Sequence, residues 1–197
     1  MPSQALLIVD VQNDFCPGGA LAVPAGDRII PVLNSYLKLF FSKKFPIFAS
    51  RDWHPSRTKH FKEFGGIWPV HCVKETFGAQ FHSDLQLPRS AIILSKGINP
   101  DEDGYSAFQG IDESGTSFGE LLKERNITVL FVGGLATDYC VKSSVVDACQ
   151  NGLKVNLLTD AISGVNLKRE DSFAAVNEMV HCGAIKSNFS KVKSLLS

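Results

Sequence analysis

No apolar run in this chain approaches the roughly 20 residues that a helix needs to cross a bilayer. The N-terminus lacks a basic region followed by a leader-like apolar stretch and cleavage site. These absences lead us to expect a cytoplasmic protein with no membrane partner. Charge of one sign is not in excess either, since Lys+Arg and Asp+Glu both number 20. That balance gives no support for binding nucleic acid or an anionic surface, and a small neutral partner is more natural. Cysteines are scattered and odd in number, and Cys16, Cys72, Cys140, Cys149 and Cys182 contain no CxxC pair. This argues against a disulfide framework or a thioredoxin-like centre and points to reduced thiols. Neither GxGxxG nor GxxxxGK follows any apolar run, which speaks against a nucleotide-binding domain. Repeats, low-complexity tracts and linkers are also missing.

What is present is an ordinary globular composition, 44% hydrophobic and 20% charged over 197 residues, enough for one domain over residues 1–197. Short β-prone runs alternate with helical patterns from end to end. The expected fold is α/β: a doubly wound, mostly parallel sheet of about six strands with helices on both faces. The helix expected from about Asp27 carries Ile29, Ile30, Leu33, Leu37, Phe40 and Phe41 on one face. A later one, capped by Asn166 and running to about Cys182, turns Phe173, Ala174, Val176 and Val180 inward. Residues 55–88 are irregular and rich in Gly, Pro, His and aromatics, and a loop that long in a compact domain is usually functional.

The organising stretch is residues 127–152. An unbroken apolar run (ITVLFV) leads into Gly133-Gly134-Leu135-Ala136, read as a turn, with Thr137 or Asp138 as cap and Cys140 in the first turn of a helix. A thiol there meets free backbone N–H groups and the positive end of the helix dipole, which favour thiolate and offer oxyanion donors. The alternative is an inert buried cysteine. Asp10, Asp52 and Lys96 each close an expected strand, and the carboxyl ends of parallel strands share one edge where ligands bind, so these residues should converge with Cys140. Asp10 could instead cap a turn, and Lys96 could be an exposed loop lysine.

Asp52 and His54, with His60 and His71 further on, form a mixed carboxylate–imidazole set suited to Zn²⁺, Fe²⁺ or Mn²⁺; unrelated surface histidines are the alternative. Phe15, Trp68 and Tyr105 come from three loops on the same edge, where aromatics can wall a flat ligand. His82 and His181 have no matching partners.

These segments resemble a known family. Val-Gln-Asn-Asp-Phe-Cys-Pro-Gly-Gly after Asp10, Arg-Asp-Trp-His-Pro, Trp-Pro-Val-His-Cys, Leu-Ser-Lys and Gly-Gly-Leu-Ala-Thr-Asp-Tyr-Cys-Val are similar to those of isochorismatase-like cysteine hydrolases, in the family's order. Within that group they look most like nicotinamidases, which are also pyrazinamidases. The subgroup named for isochorismatase itself lacks the nucleophilic cysteine, so Cys140 argues against that activity. The resemblance implies a triad of Asp10, Lys96 and Cys140, and a metal on Asp52, His54 and His71. His60 is a fourth ligand in some members, others having serine or none there. It also implies a cis peptide before Ala136, an oxyanion hole from the N–H groups of Ala136 and Cys140, and a pocket lined by Phe15, Trp68 and Tyr105.

On that basis the expected reaction is hydrolysis of nicotinamide through a thioester on Cys140, with zinc as the leading metal. A related amidase acting on a carbamoyl or ureido substrate is the alternative. A redox sensor is a further one, although no cysteine near Cys140 in sequence offers a resolving partner. Both a monomer and a homo-oligomer remain open.

Overall fold

A computed structural model describes residues 3–196. Six strands, β1 (Ser3–Val9), β2 (Ile47–Asp52), β3 (Ile92–Lys96), β4 (Ile127–Leu135), β5 (Lys154–Ser163) and β6 (Ile185–Ser187), form one sheet in the order β3-β2-β1-β4-β5-β6. Every neighbouring pair is parallel. Strands of such a sheet are buried on both faces, which is why β1 and β4 read as continuous apolar runs.

Side chains of β1 alternate between two cores. Leu6 and Ile8 join Leu33, Tyr36, Leu37 and Phe40 of α1 (Ile30–Ser42) and Val192 of α5 (Phe189–Leu195). Leu7 and Val9 face the opposite layer, built by α2 (Phe118–Glu124), α3 (Lys142–Gln150) and α4 (Asp171–His181). The strand order reverses between β1 and β4, and that reversal opens a crevice at their carboxyl ends. Residues 55–88 lie over this edge. Their only helical turn is Lys62–Phe64, and isolated bridges from His54 to Val73, Phe61 to Trp68 and Gln12 to Phe81 hold them down. Among the described residues no helix is long and apolar enough to cross a membrane.

Several sequence expectations need correction. Phe41 is 59% exposed, and Tyr36 takes the core position instead. Helix α4 is rotated from the expected phase: Ala175 and Met179 are buried, whereas Phe173 is 64% exposed and Val180 40%. This helix starts at Asp171 rather than beside Asn166, although Asn166 Oδ1 still accepts the Ser172 N–H at 3.0 Å. The run before Cys140 stays extended through Gly133 and Gly134 to Leu135. A π-helical turn, Thr137–Val141, then leads into α3, and neither Thr137 nor Asp138 caps it. The Asp138 carboxylate instead accepts the N–H groups of Val165 and Asn166, tying the turn to the loop after β5.

Candidate active site

Strand register explains why the polar residues meet. Val9 pairs with both Ser50 and Gly134, so Asp10 leaves β1 between the ends of β2 and β4. Asp52 pairs with Lys96, which aligns those side chains across β2 and β3. A Cβ on Gly134 would collide with the Val9 backbone, so glycine allows β4 to approach β1 there. Asp10 has φ 47°, an uncommon conformation for a non-glycine residue and one that clusters at functional sites. The Leu135–Ala136 peptide is cis.

Lys96 is completely buried at the centre of this group. Its ammonium lies 2.8 Å from Asp10 Oδ2, bonds Asp52 Oδ1, donates to Gly104 O at 2.7 Å and reaches Cys140 Sγ at 3.5 Å. Burial alone would lower the Lys96 pKa, but the carboxylates of Asp10 and Asp52 and then Cys140 outweigh it, so the lysine stays charged. Burial would raise Asp52 as well. There the Lys96 ammonium and the His54 imidazole prevail and hold it below the usual carboxylate range.

Asp10 behaves differently. Burial raises its pKa, and Lys96 offsets this only in part. Ser50 Oγ donates to Asp10 Oδ1 at 2.7 Å, whereas Oδ2 has no well-aligned hydrogen bond. Carboxylate oxygens of Asp10 and Asp52 and the Cys140 sulfur all lie within 4.8 Å of one another. Cys140 is 6% exposed, and burial pushes its thiol well up; Lys96 opposes that, while both carboxylates reinforce it. Burial and the two carboxylates thus act on the Cys140 thiol in the direction opposite to the thiolate-favouring helix terminus expected from the sequence. A thiol held protonated beside a carboxylate of raised pKa is suited to transferring its proton there.

Beyond Asp52 stands an imidazole cluster. His54 Nδ1 lies 3.0 Å from Gly97 O and His71 Nδ1 2.8 Å from Pro69 O. A carbonyl only accepts, so both rings carry a proton on Nδ1, which makes Nε2 the ring atom turned toward Asp52 and available to a ligand. These Nε2 atoms sit 3.6 and 3.8 Å from Asp52 Oδ2. His54 Nε2 is buried without a hydrogen-bond partner. His60 stacks on His54 with ring centroids 4.8 Å apart, and ligand atoms of His54, His60 and His71 fall within 4.8 Å of one another. Burial, with the His54 and His71 imidazoles beside it, pulls His60 down to about 4, so it is neutral at ordinary pH. An orphaned buried nitrogen, oriented lone pairs and an ionised carboxylate form a donor set that fits a divalent metal such as zinc.

A narrow slot opens onto both groups. Phe15, Trp68, Tyr105 and Tyr139 wall it, and Asp52, His60, His71, Ala136 and Cys140 reach its surface. Trp68 Nε1 donates to the Tyr105 hydroxyl at 2.8 Å, and the Trp68 ring meets Tyr139 edge-on at 4.9 Å. All residues expected at the site thus assemble at this crevice, with Asp10, Lys96 and His54 behind its surface. His82 and His181 do not line the slot: the His82 ring accepts the Asp84 N–H, and the His181 ring lies 3.2 Å from Asn177 O.

Some contributors were not foreseen. Tyr139 precedes Cys140, so the adjacency was a usable signal. Ser50 sits two residues before Asp52, on the strand beside β1, and strand pairing would have pointed to it. Leu21, Val23 and Val165 complete the slot from loops whose placement no local pattern reveals.

This fold, with its crevice at the reversal of strand order, is that of isochorismatase-like proteins. An isochorismatase domain matches residues 4–188. The nicotinamidase of Escherichia coli (strain K12) is 44% identical, over 93% of this chain and 94% of its own length. The nicotinamidase/pyrazinamidase of Mycobacterium tuberculosis is 37% identical, over 89% of this chain and 94% of its own. The crystal structure of the pyrazinamidase of Pyrococcus horikoshii in complex with zinc superimposes with a TM-score of 0.88 at 43% identity, covering 95% of this chain and all of that one. The chain belongs to the isochorismatase family.

Proposed function

We propose that this chain is a single-domain, metal-dependent cysteine amidohydrolase that converts nicotinamide to nicotinate and ammonia, and acts on pyrazinamide in the same way. The observation that carries this reading is that Cys140 and two imidazoles of the cluster open onto one aromatic-walled slot. A flat ring bearing both a ligand nitrogen and a carboxamide can address both at once. The names of the relatives support the same substrate class.

Asp52, His54 and His71, with His60, would hold the metal. Zinc is the leading candidate on the strength of the related zinc complex, and the donor set also suits Fe²⁺ or Mn²⁺. When bound, the ion would supply Lewis acidity and an anchoring position for a ring nitrogen.

Phe15 and Trp68 bracket the ring and exclude water, so that the carboxamide carbon faces Cys140. Asp10 Oδ2 takes the thiol proton while Lys96 holds the surrounding anions together. The thiolate attacks the carboxamide carbon, and the oxyanion is stabilised by the N–H groups of Ala136 and Cys140. Asp10 returns its proton to the departing ammonia, leaving a thioester on Cys140. Water gives a proton to Asp10 and attacks the thioester carbon; the C–S bond then breaks, Asp10 returns the proton to the Cys140 sulfur, and the acid leaves as nicotinate with its own proton lost to solvent.

Ammonia release from nicotinamide, compared with a panel of carbamoyl and ureido amides, tests the substrate. A clear preference for nicotinamide supports the proposal, and a preference for a ureido amide overturns it.

A further inference from the structure

Gln12 is completely buried two residues after Asp10, yet none of the chemistry above uses it. Its side-chain amide makes three hydrogen bonds. Oε1 accepts the Asp52 N–H at 2.8 Å, and Nε2 donates to Asp52 O at 2.8 Å and to Ala79 O at 2.9 Å. One amide N–H and two carbonyls surround it, so only one orientation of the side chain satisfies all three. In effect the Gln12 amide acts as one more residue of strand beside Asp52, beyond the point where Asp10 turns the β1 chain away.

Asp52 links the two halves of the crevice. Its Oδ1 bonds Lys96, and its Oδ2 lies nearest the Nε2 atoms of His54 and His71. Ala79 belongs to the loop that follows His71, and the Gln12 backbone bridges Phe81 of that same loop. One buried side chain therefore clamps the backbone of the proposed carboxylate ligand and ties it to the segment carrying an imidazole ligand.

We propose that Gln12 is a positioning residue for the metal site, holding Asp52 so that one carboxylate oxygen serves Lys96 and the other faces the metal. This rests on the metal reading given above. Groups that orient ligands typically contribute about 10–100-fold to metal affinity. Gln12→Met keeps the length of the side chain and removes all three hydrogen bonds. Gln12→Glu keeps the length and the acceptor for the Asp52 N–H. Ser187→Ala, which deletes a buried hydrogen bond to Asn156 on the strands at the sheet's other edge, controls for loss of stability alone.

The readout is zinc affinity by chelator competition on metal-stripped protein, beside circular dichroism and thermal unfolding of the same samples. The expected result is zinc affinity lower by about tenfold or more in Gln12→Met, a smaller loss in Gln12→Glu, and wild-type affinity in Ser187→Ala even where its unfolding temperature falls. If Gln12→Met does not fold, weakened zinc binding by folded Gln12→Glu supports the proposal. Wild-type affinity in whichever Gln12 variant folds overturns it while leaving the metal reading intact. No zinc binding by the wild type would overturn the metal reading and this inference together.

Discussion

Lys96 shows how much one residue can hold. Its ammonium sits without solvent contact among Asp10, Asp52, Gly104 O and the Cys140 sulfur. Removing one member of a buried ion pair leaves the others uncompensated, and such changes typically cost about 3–5 kcal/mol. Lys96→Ala should therefore lower stability by roughly that amount in urea unfolding, as well as abolishing turnover. An unfolding midpoint equal to wild type would mean that the carboxylates do not depend on the lysine. Cys140→Ala and His54→Ala separate the two halves of the site. The first should lose turnover and keep metal, the second should lose metal; equal metal loss in both would contradict this division. Gly97 gives a third test at this scale. It has φ 64°, and a Cβ there would overlap the His54 ring whose Nδ1 bonds the Gly97 carbonyl. Gly97→Ala should weaken metal binding by displacing that ring, as read by metal content after dialysis. The identities of the polar residues at strand ends were legible because parallel register brings those ends to one edge. Their hydrogen bonds were not, nor was the burial that pushes the Cys140 thiol up, which a list of neighbours in sequence does not contain.

At the scale of elements, α4 shows where periodicity misleads. Its apolar residues spread over a broad arc, so Phe173, Ala174, Val176 and Val180 were as plausible a buried stripe as Ala175 and Met179, and Val176 does pack partly against the core. Packing against α3 and the sheet selects the second. Met179→Ala should then cost about 2–5 kcal/mol and Phe173→Ala less than about 0.5 kcal/mol, both measured by denaturant unfolding. The reverse ranking would restore the phase read from the sequence. The turn at Cys140 was legible as a strand running into a helix, because ITVLFV and the glycines mark it plainly. Its π-helical form was not, since it depends on the Ala136 carbonyl accepting from both Tyr139 and Val141 and on Asp138 bonding a distant loop. The loop over residues 55–88 was recognisable as functional from its length and composition. Its placement is fixed by contacts with the loops after β1 and β3, among them Cys72 N–H to Asp14, Thr58 to Pro100 O and Trp68 to Tyr105, far away in sequence.

Over the whole molecule, alternating strands and helices were enough to specify the doubly wound sheet, because a parallel strand pair needs a crossover and crossovers have a fixed hand. What the pattern leaves unsaid is how tightly the two halves of the crevice are joined through Asp52. A ligand bound only by the folded state stabilises the entire fold by mass action, so zinc added to metal-stripped protein should raise its unfolding temperature. The same addition should leave His54→Ala unchanged. The most direct test of the account is release of ammonia and nicotinate from nicotinamide by the metal-loaded wild type, run beside Cys140→Ala and a metal-stripped sample. The account predicts turnover by the wild type that is lost in both controls and returns to the stripped sample when metal is restored. Turnover that survives in Cys140→Ala, or a folded, metal-loaded wild type that releases no ammonia, would contradict it.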